Sequence, residues 1–146
     1  MTVCLDTNVF LQIFGRKQPF HRIFQELMDG RLTLAVSNEI LLEYEEVTVK
    51  LSGTERWRQV VRLLELLAQL CNNVKQIEPS YRFGVITDDP DDNKFSDCAI
   101  AASADFVVTE DAHFAKLKHA GYKPKPITPQ AFIELLERRD RFFSKN

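Results

Sequence analysis

The chain is poor in cysteine and glycine, carries little net charge, and has no apolar run long enough to cross a bilayer. Only three of its 146 residues are cysteine and five are glycine. Cys4, Cys71 and Cys98 are odd in number, scattered and set in apolar surroundings, which favours buried free thiols over a disulfide or a zinc site. His21, His113 and His119 lack the spacing of metal-ligand pairs. No apolar stretch approaches the roughly 18 residues a membrane span needs, so a soluble protein with no membrane partner is expected. The N-terminus goes straight into strand-like sequence, without the basic segment, apolar stretch and cleavage site of a secretory leader. A cytoplasmic location follows as the expectation. A net charge of −2 argues against tight, purely electrostatic binding of nucleic acid, but is compatible with an RNA substrate held locally.

What remains is ordinary globular composition, with 45% apolar and 27% charged residues. The length suits one domain over residues 1–146, and no repeat, Gly/Ser linker or low-complexity tract divides it. Short apolar runs alternate with longer amphipathic ones, the rhythm of a parallel sheet covered by helices. Strands are predicted at Thr2 to Leu5, Leu32 to Val36, Val74 to Ile77, Phe106 to Thr109, and in KPITP near the end. Helices are predicted in FHRIFQELMDG, from Asn38 to Leu51 behind Ser37 as N-cap, in ERWRQVVRLLELLAQL, in DDNKFSDCAIAASA, in DAHFAKLKHAG, and in PQAFIELLERRDRFF with Pro129 in its first turn. The Asn38 helix is expected to bury Ile40, Tyr44, Val47 and Leu51. Residues 79–91 read as an irregular loop.

In open parallel sheets, ligands sit beyond the carboxyl ends of the strands where the strand order switches. Several acids are predicted to lie there. Asp6 directly follows the first strand, where a carboxylate beside buried sequence must be hydrogen-bonded, paired or metal-bound; capping the next turn is the simpler alternative. Glu43 flanks the apolar stripe of the Asn38 helix, one turn in, and is the best placed of Glu39, Glu43, Glu45 and Glu46. Asp88, Asp89, Asp91 and Asp92 form an acid-rich loop, most of which suits turn and cap chemistry. Asp97 lies more than a turn into a helix of small and apolar residues, where a buried carboxylate has a raised pKa or needs a cation. Asn93 shares its face and Asp92 sits at the helix start. Asp111 follows the Phe106 strand, with Thr109 nearby. Carboxylates converging on one sheet edge repel strongly unless Mg²⁺ or Mn²⁺ neutralises them. One such ion lowers the pKa of a bound water, and a second, roughly 4 Å away, stabilises the leaving oxygen of a phosphodiester.

LDTNVF at the start, SNEILLEYEEV, and DPDDNKFSDCAIAASADFVVTED, in this order and at these spacings, resemble the PIN domain (PilT N-terminus) family, especially VapC-type toxins of toxin–antitoxin systems. The resemblance covers nearly the whole chain. It implies a three-layer α/β/α sandwich with a mainly parallel sheet of four to five strands, and a Mg²⁺- or Mn²⁺-dependent endoribonuclease. It also implies a cognate antitoxin as partner and a homodimer. By position, Asp6, Glu43, Asp97 and Asp111 match the family's acidic site, with Asn8 and Thr109 as supporting polar residues. The DPDDNKFSD segment offers both Asp92 and Asp97 where many relatives show one clear third acid; both are retained as metal ligands, with more weight on Asp97 because of its expected burial.

Two other readings start from the same residues. A haloacid-dehalogenase-like phosphatase also begins with a strand and an aspartate, but its second aspartate, two residues on, is replaced here by Asn8. A catalytically silent interaction module on the PIN scaffold is disfavoured by the completeness of the acid set.

Overall fold

The computed structural model describes residues 1–87 and 89–145; Asp88, grouped above with the loop acids, lies outside them. Five strands form one sheet: β1 (Thr2–Leu5), β2 (Thr33–Val36), β3 (Val74–Gln76), β4 (Phe106–Val108) and β5 (Lys125–Ile127). Their spatial order is β3-β2-β1-β4-β5, and every neighbouring pair is parallel. Val3, Cys4 and Leu5 of β1, and Val107 and Val108 of β4, are fully buried. Central strands covered on both faces read as continuous apolar runs rather than alternating ones, which is why these segments stand out in the sequence.

The chain moves outward from β1 through β2 to β3, then returns to the other side of β1 for β4 and β5. Right-handed crossovers therefore put α1 (Thr7–Phe10), α2 (His21–Met28), α3 (Asn38–Ser52) and α4 (Thr54–Leu66) on one face and α5 (Asn93–Ala101) on the other. The result is the expected three-layer arrangement. α6 (Pro129–Ser144) is tied to α2 by ion pairs from Arg139 to Glu26 and from Arg22 to Asp140. The reversal of strand order falls between β1 and β4, so Asp6 and the residues after Val108 flank the switch point.

Local chemistry sets the element ends. Ser37 caps α3 by accepting from the Ile40 N–H at 3.3 Å, and Thr128 caps α6 by accepting from the Ala131 N–H at 3.2 Å, with Pro129 first in the helix. Gly53 separates α3 from α4 with φ 89°, a left-handed conformation that suits a residue without a Cβ. Cys4 and Cys98 are buried free thiols and Cys71 a half-buried one. A hydrogen bond to Cys98, together with burial, holds the Cys4 thiol well above its ordinary pKa. No described helix is long and apolar enough to cross a membrane.

Two expectations change. The buried row of α3 is Ile40, Tyr44 and Thr48, an i, i+4, i+8 row, whereas Leu51 is 68% exposed. The row drifts toward α1, where Tyr44 stacks on Phe10 with ring centroids 3.7 Å apart, leaving Leu51 beyond the packed face. The segment after Asp111 forms a 3₁₀ helix, Ala112–His119, instead of an α-helix. Its buried side chains are Phe114 and Leu117 alone. A spacing of three is the repeat of a 3₁₀ helix, in which i and i+3 side chains eclipse.

Candidate active site

Asp6 serves both roles that its position suggests. Its Oδ1 accepts from the Thr7 N–H at 2.8 Å and caps α1, while its Oδ2 accepts from Thr109 Oγ1 at 2.7 Å. Thr109 follows β4, the strand beside β1, and its hydroxyl oxygen also accepts from the Asp111 N–H at 2.9 Å. One hydroxyl thus links the acids that follow β1 and β4.

Glu43 reaches the same edge from α3. The neighbouring Tyr44 fixes that helix by donating its hydroxyl to the Leu5 carbonyl at the end of β1. Glu43 Oε2 accepts from the Thr7 hydroxyl, and Oε1 pairs with Lys94 Nζ at 2.8 Å. Asp92 ends a short 3₁₀ turn, Pro90–Asp92, immediately before α5. Its Oδ2 is buried and accepts no hydrogen bond from any described residue. His113 closes the group. Its Nδ1 lies 3.3 Å from Asp111 Oδ1, 3.6 Å from Asp92 Oδ2 and 4.0 Å from Asp89 Oδ2.

The electrostatics are those of too much negative charge in one place. Burial raises the pKa of Asp6, and the charges of Glu43 and Asp111 add to the rise; the hydrogen bonds from Thr109 and Thr7 only partly offset it. Burial and the charges of Asp111, Asp89 and Asp6 push Asp92 up to about 7, a charge excess that a bound cation would relieve. An all-oxygen donor set with a buried, unpartnered carboxylate oxygen suits Mg²⁺ or Mn²⁺. The residues present therefore fit a divalent cation.

The structure brings Asp6, Glu43, Asp92 and Asp111 together, with Thr109 as their connector. It places Asp97 elsewhere. Asp97 is buried, as its helix predicts, but its Oδ1 accepts from the Phe83 N–H at 3.0 Å and its charged neighbours are Arg82 and Glu39. Burial raises its pKa while the Phe83 N–H and Arg82 lower it. Asn93 is likewise occupied with the loop before α5, since its side chain accepts from the Ile86 N–H at 2.8 Å and donates to the Ile86 carbonyl at 2.7 Å. Asn8 is exposed in the turn that Asp6 caps.

Sequence reasoning missed Thr7, Lys94 and His113, and left Asp89 to turn chemistry alone. Asp89 does cap the 3₁₀ turn, accepting from the Asp91 N–H at 3.2 Å, while also facing His113. The signal for Thr7 and Lys94 was adjacency to Asp6 and to the DPDDN segment. His113, two residues past Asp111, offered none, because isolated histidines carry no spacing.

The raised Asp92 pKa has a consequence for stability. Between its ordinary value of 3.8 and its folded value of about 7, the folded state holds a proton that the unfolded state has released. Stability must then fall as pH rises through that window. In EDTA the thermal midpoint is expected to decline from pH 5 to 7.5, and Asp92→Asn should flatten the decline. Scanning calorimetry checks this; a midpoint that climbs over the same range would contradict the assignment.

Comparison with known proteins speaks to the family and the fold. The sequence profile of the PIN domain matches residues 2–113. No curated protein sequence matches the chain. Among solved structures, a chain of VapBC2 from Rickettsia felis bound to a DNA fragment from its promoter is similar, with a TM-score of 0.55 and 19% identity over 86% of this chain and 98% of that one. A chain of FitAB bound to an IR36 DNA fragment is also similar, with a TM-score of 0.53 and 17% identity over 87% of this chain and 94% of that one. At such identities the structural likeness speaks to the fold, whereas the profile spans most of the chain: the protein belongs to the PIN domain family.

Proposed function

We propose that the protein is a Mg²⁺- or Mn²⁺-dependent endoribonuclease that acts in the cytoplasm as the toxin of a toxin–antitoxin pair. The observation that carries this reading is the meeting of Asp6, Glu43, Asp92 and Asp111 at the switch point, with one buried carboxylate oxygen left unpartnered. A bound divalent cation supplies charge neutralisation and activation of water for attack on a phosphodiester. The chain's own residues hold it and set the geometry. Asp6, Asp92 and Asp111 are the holding carboxylates, and Glu43 stands beside them. Thr109 fixes Asp6 and the Asp111 backbone together, and Thr7 orients Glu43. Lys94 pairs with Glu43 and adds a positive charge at the rim, where a phosphate arrives. In this reading Asp97 and Asn93 act at one remove, pinning residues 83–86 along α5.

The antitoxin partner is supported by the solved neighbours, which carry the names VapBC2 and FitAB and are bound to DNA. A homodimer is the matching expectation for the assembled protein.

The test is incubation of end-labelled single-stranded RNA with purified protein in Mg²⁺, in Mn²⁺ and in EDTA, beside DNA of the same sequence. Cleavage of RNA should require the cation and leave no 2′,3′-cyclic phosphate, because water and not the 2′-hydroxyl attacks. Cleavage that persists in EDTA or leaves cyclic ends would sink the mechanism. Equal cleavage of DNA would remove the restriction to RNA.

A further inference from the structure

His113 brings a nitrogen donor against the acids described above, and its ring is aimed at them. Nδ1 lies 3.6 Å from Asp92 Oδ2 and 4.0 Å from Asp89 Oδ2, and one ligand atom from each of the three residues falls within 4.8 Å of the others. Two ligands of one ion, each roughly 2.0–2.2 Å from it, stand at most about 4.4 Å apart, so Nδ1 can share an ion with either carboxylate oxygen without rearrangement. Asp92 Oδ2, which faces Nδ1, is the buried oxygen with no hydrogen-bond donor. The ring is 47% exposed, so an ion there is reachable from solvent. The backbone fixes the ring's origin: Asp111 Oδ1 accepts from the His113 N–H at 2.9 Å, capping the 3₁₀ helix that carries it.

We propose that Asp89, Asp92 and His113 form a cation subsite of their own, beside the one held by Asp6 and Asp111, and that its nitrogen donor makes it select a first-row transition-metal ion over Mg²⁺. This rests on the nuclease reading for Asp92, which both subsites share. Hard Mg²⁺ takes oxygen ligands and parts reluctantly with water, whereas imidazole suits the later first-row ions, with affinity rising from Mn²⁺ through Co²⁺ to Cu²⁺ and falling back at Zn²⁺. His113 therefore decides which metal occupies the outer position, and Asp89 supplies a second charge that the acid set at the switch point does not use. The competing account is that His113 is only a positively charged partner for its acidic neighbours.

Co²⁺ separates the two accounts, because it accepts imidazole and shifts the proton resonances of a coordinated ring far outside the normal range. Wild-type protein titrated with Co²⁺ should give one such set of shifted ring signals, absent in His113→Ala and retained in His119→Ala and His21→Ala. By calorimetry, His113→Ala should weaken Co²⁺ binding by about tenfold or more, the usual scale for losing a group that supports a metal site, while Mg²⁺ affinity stays within twofold. Asp89→Asn should shift Co²⁺ binding the same way. Unchanged Co²⁺ affinity and an unchanged spectrum in folded His113→Ala protein would overturn the subsite. The RNA assay with Asp6→Asn is run alongside. If that variant loses cleavage while His113→Ala leaves Co²⁺ binding untouched, the subsite falls and the nuclease reading stands. If Asp6→Asn cleaves normally while the His113 signals behave as expected, the nuclease reading falls and the metal site stands.

Discussion

Asp6→Asn is expected to lower cation-dependent RNA cleavage by about three powers of ten or more while leaving the metal-free protein at least as stable as wild type. The two halves of this prediction have one cause. Asp6 is a carboxylate whose burial and acidic neighbours already oppose its charge. An amide of the same shape keeps an oxygen for the Thr7 N–H that caps α1 and removes the charge that Glu43 and Asp111 repel. Folding therefore loses little and gains some relief of repulsion. The cation loses a charged ligand, and several kcal/mol of transition-state stabilisation corresponds to roughly three decades in rate. Cleavage rate in Mn²⁺ and thermal midpoint in EDTA, measured on the same preparation, check both halves. Activity within tenfold of wild type would remove Asp6 from the chemistry. A large fall in midpoint would mean that its main work is capping.

Thr109 sharpens the same point. Its hydroxyl donates to Asp6 and accepts from the Asp111 backbone, so the two acids nearest the switch point are positioned by one side chain rather than by two independent loops. A site that must hold repelling charges close together gains from such a connector, because it ties the Asp6 carboxylate to the Asp111 backbone, while the Asp111 carboxylate is held in turn by the His113 N–H.

Much of this site was legible in the sequence because the elements that deliver it are locally coded. Buried strands read as apolar runs, so β1 was placed at its observed bounds, and Asp6, one residue beyond, had to be at the sheet edge. Ser37 marked the start of α3, which fixed Glu43 one turn in. Asp97 shows the limit of that reasoning. Its burial was correctly expected from FSDCAIAASA, but burial does not say what a side chain faces. Asp97 turns to the Phe83 backbone because residues 82–86 run along α5, and nothing in an irregular loop's sequence announces its path. Asp92, immediately before the helix, meets the other acids instead. His113 was illegible for a related reason. Its segment is a 3₁₀ helix with Phe114 and Leu117 buried, not the α-helix expected, so the face on which His113 falls was not readable from the pattern.

The contact least visible in the sequence carries the largest expected effect on stability. Glu26 is fully buried in α2, where it pairs with Arg22 at 2.6 Å, with Arg31 at 3.6 Å, and with Arg139 of α6. Asp140 joins the group through Arg22, Arg31 and Arg139. The Glu26 carbonyl also accepts from the Arg31 N–H at 2.9 Å and the Leu32 N–H at 3.3 Å, so this residue fixes both the exit of α2 into β2 and the seat of the last helix. Glu26→Ala leaves Arg22 and Arg139 facing each other with a cavity between them and one counter-charge fewer. Breaking a buried pair by removing one partner costs about 3–5 kcal/mol, which for a domain of this size lowers the thermal midpoint by on the order of 10 °C. Glu26→Gln should lose less, since the amide keeps the volume and one acceptor. Because none of these residues contacts the acids at the switch point, the folded fraction of Glu26→Ala should bind Mn²⁺ with unchanged affinity well below its midpoint. Denaturation and Mn²⁺ calorimetry on the same sample decide the matter. A midpoint within 2–3 °C of wild type would show that the exposed sides of the arginines, not Glu26, hold α6 against α2.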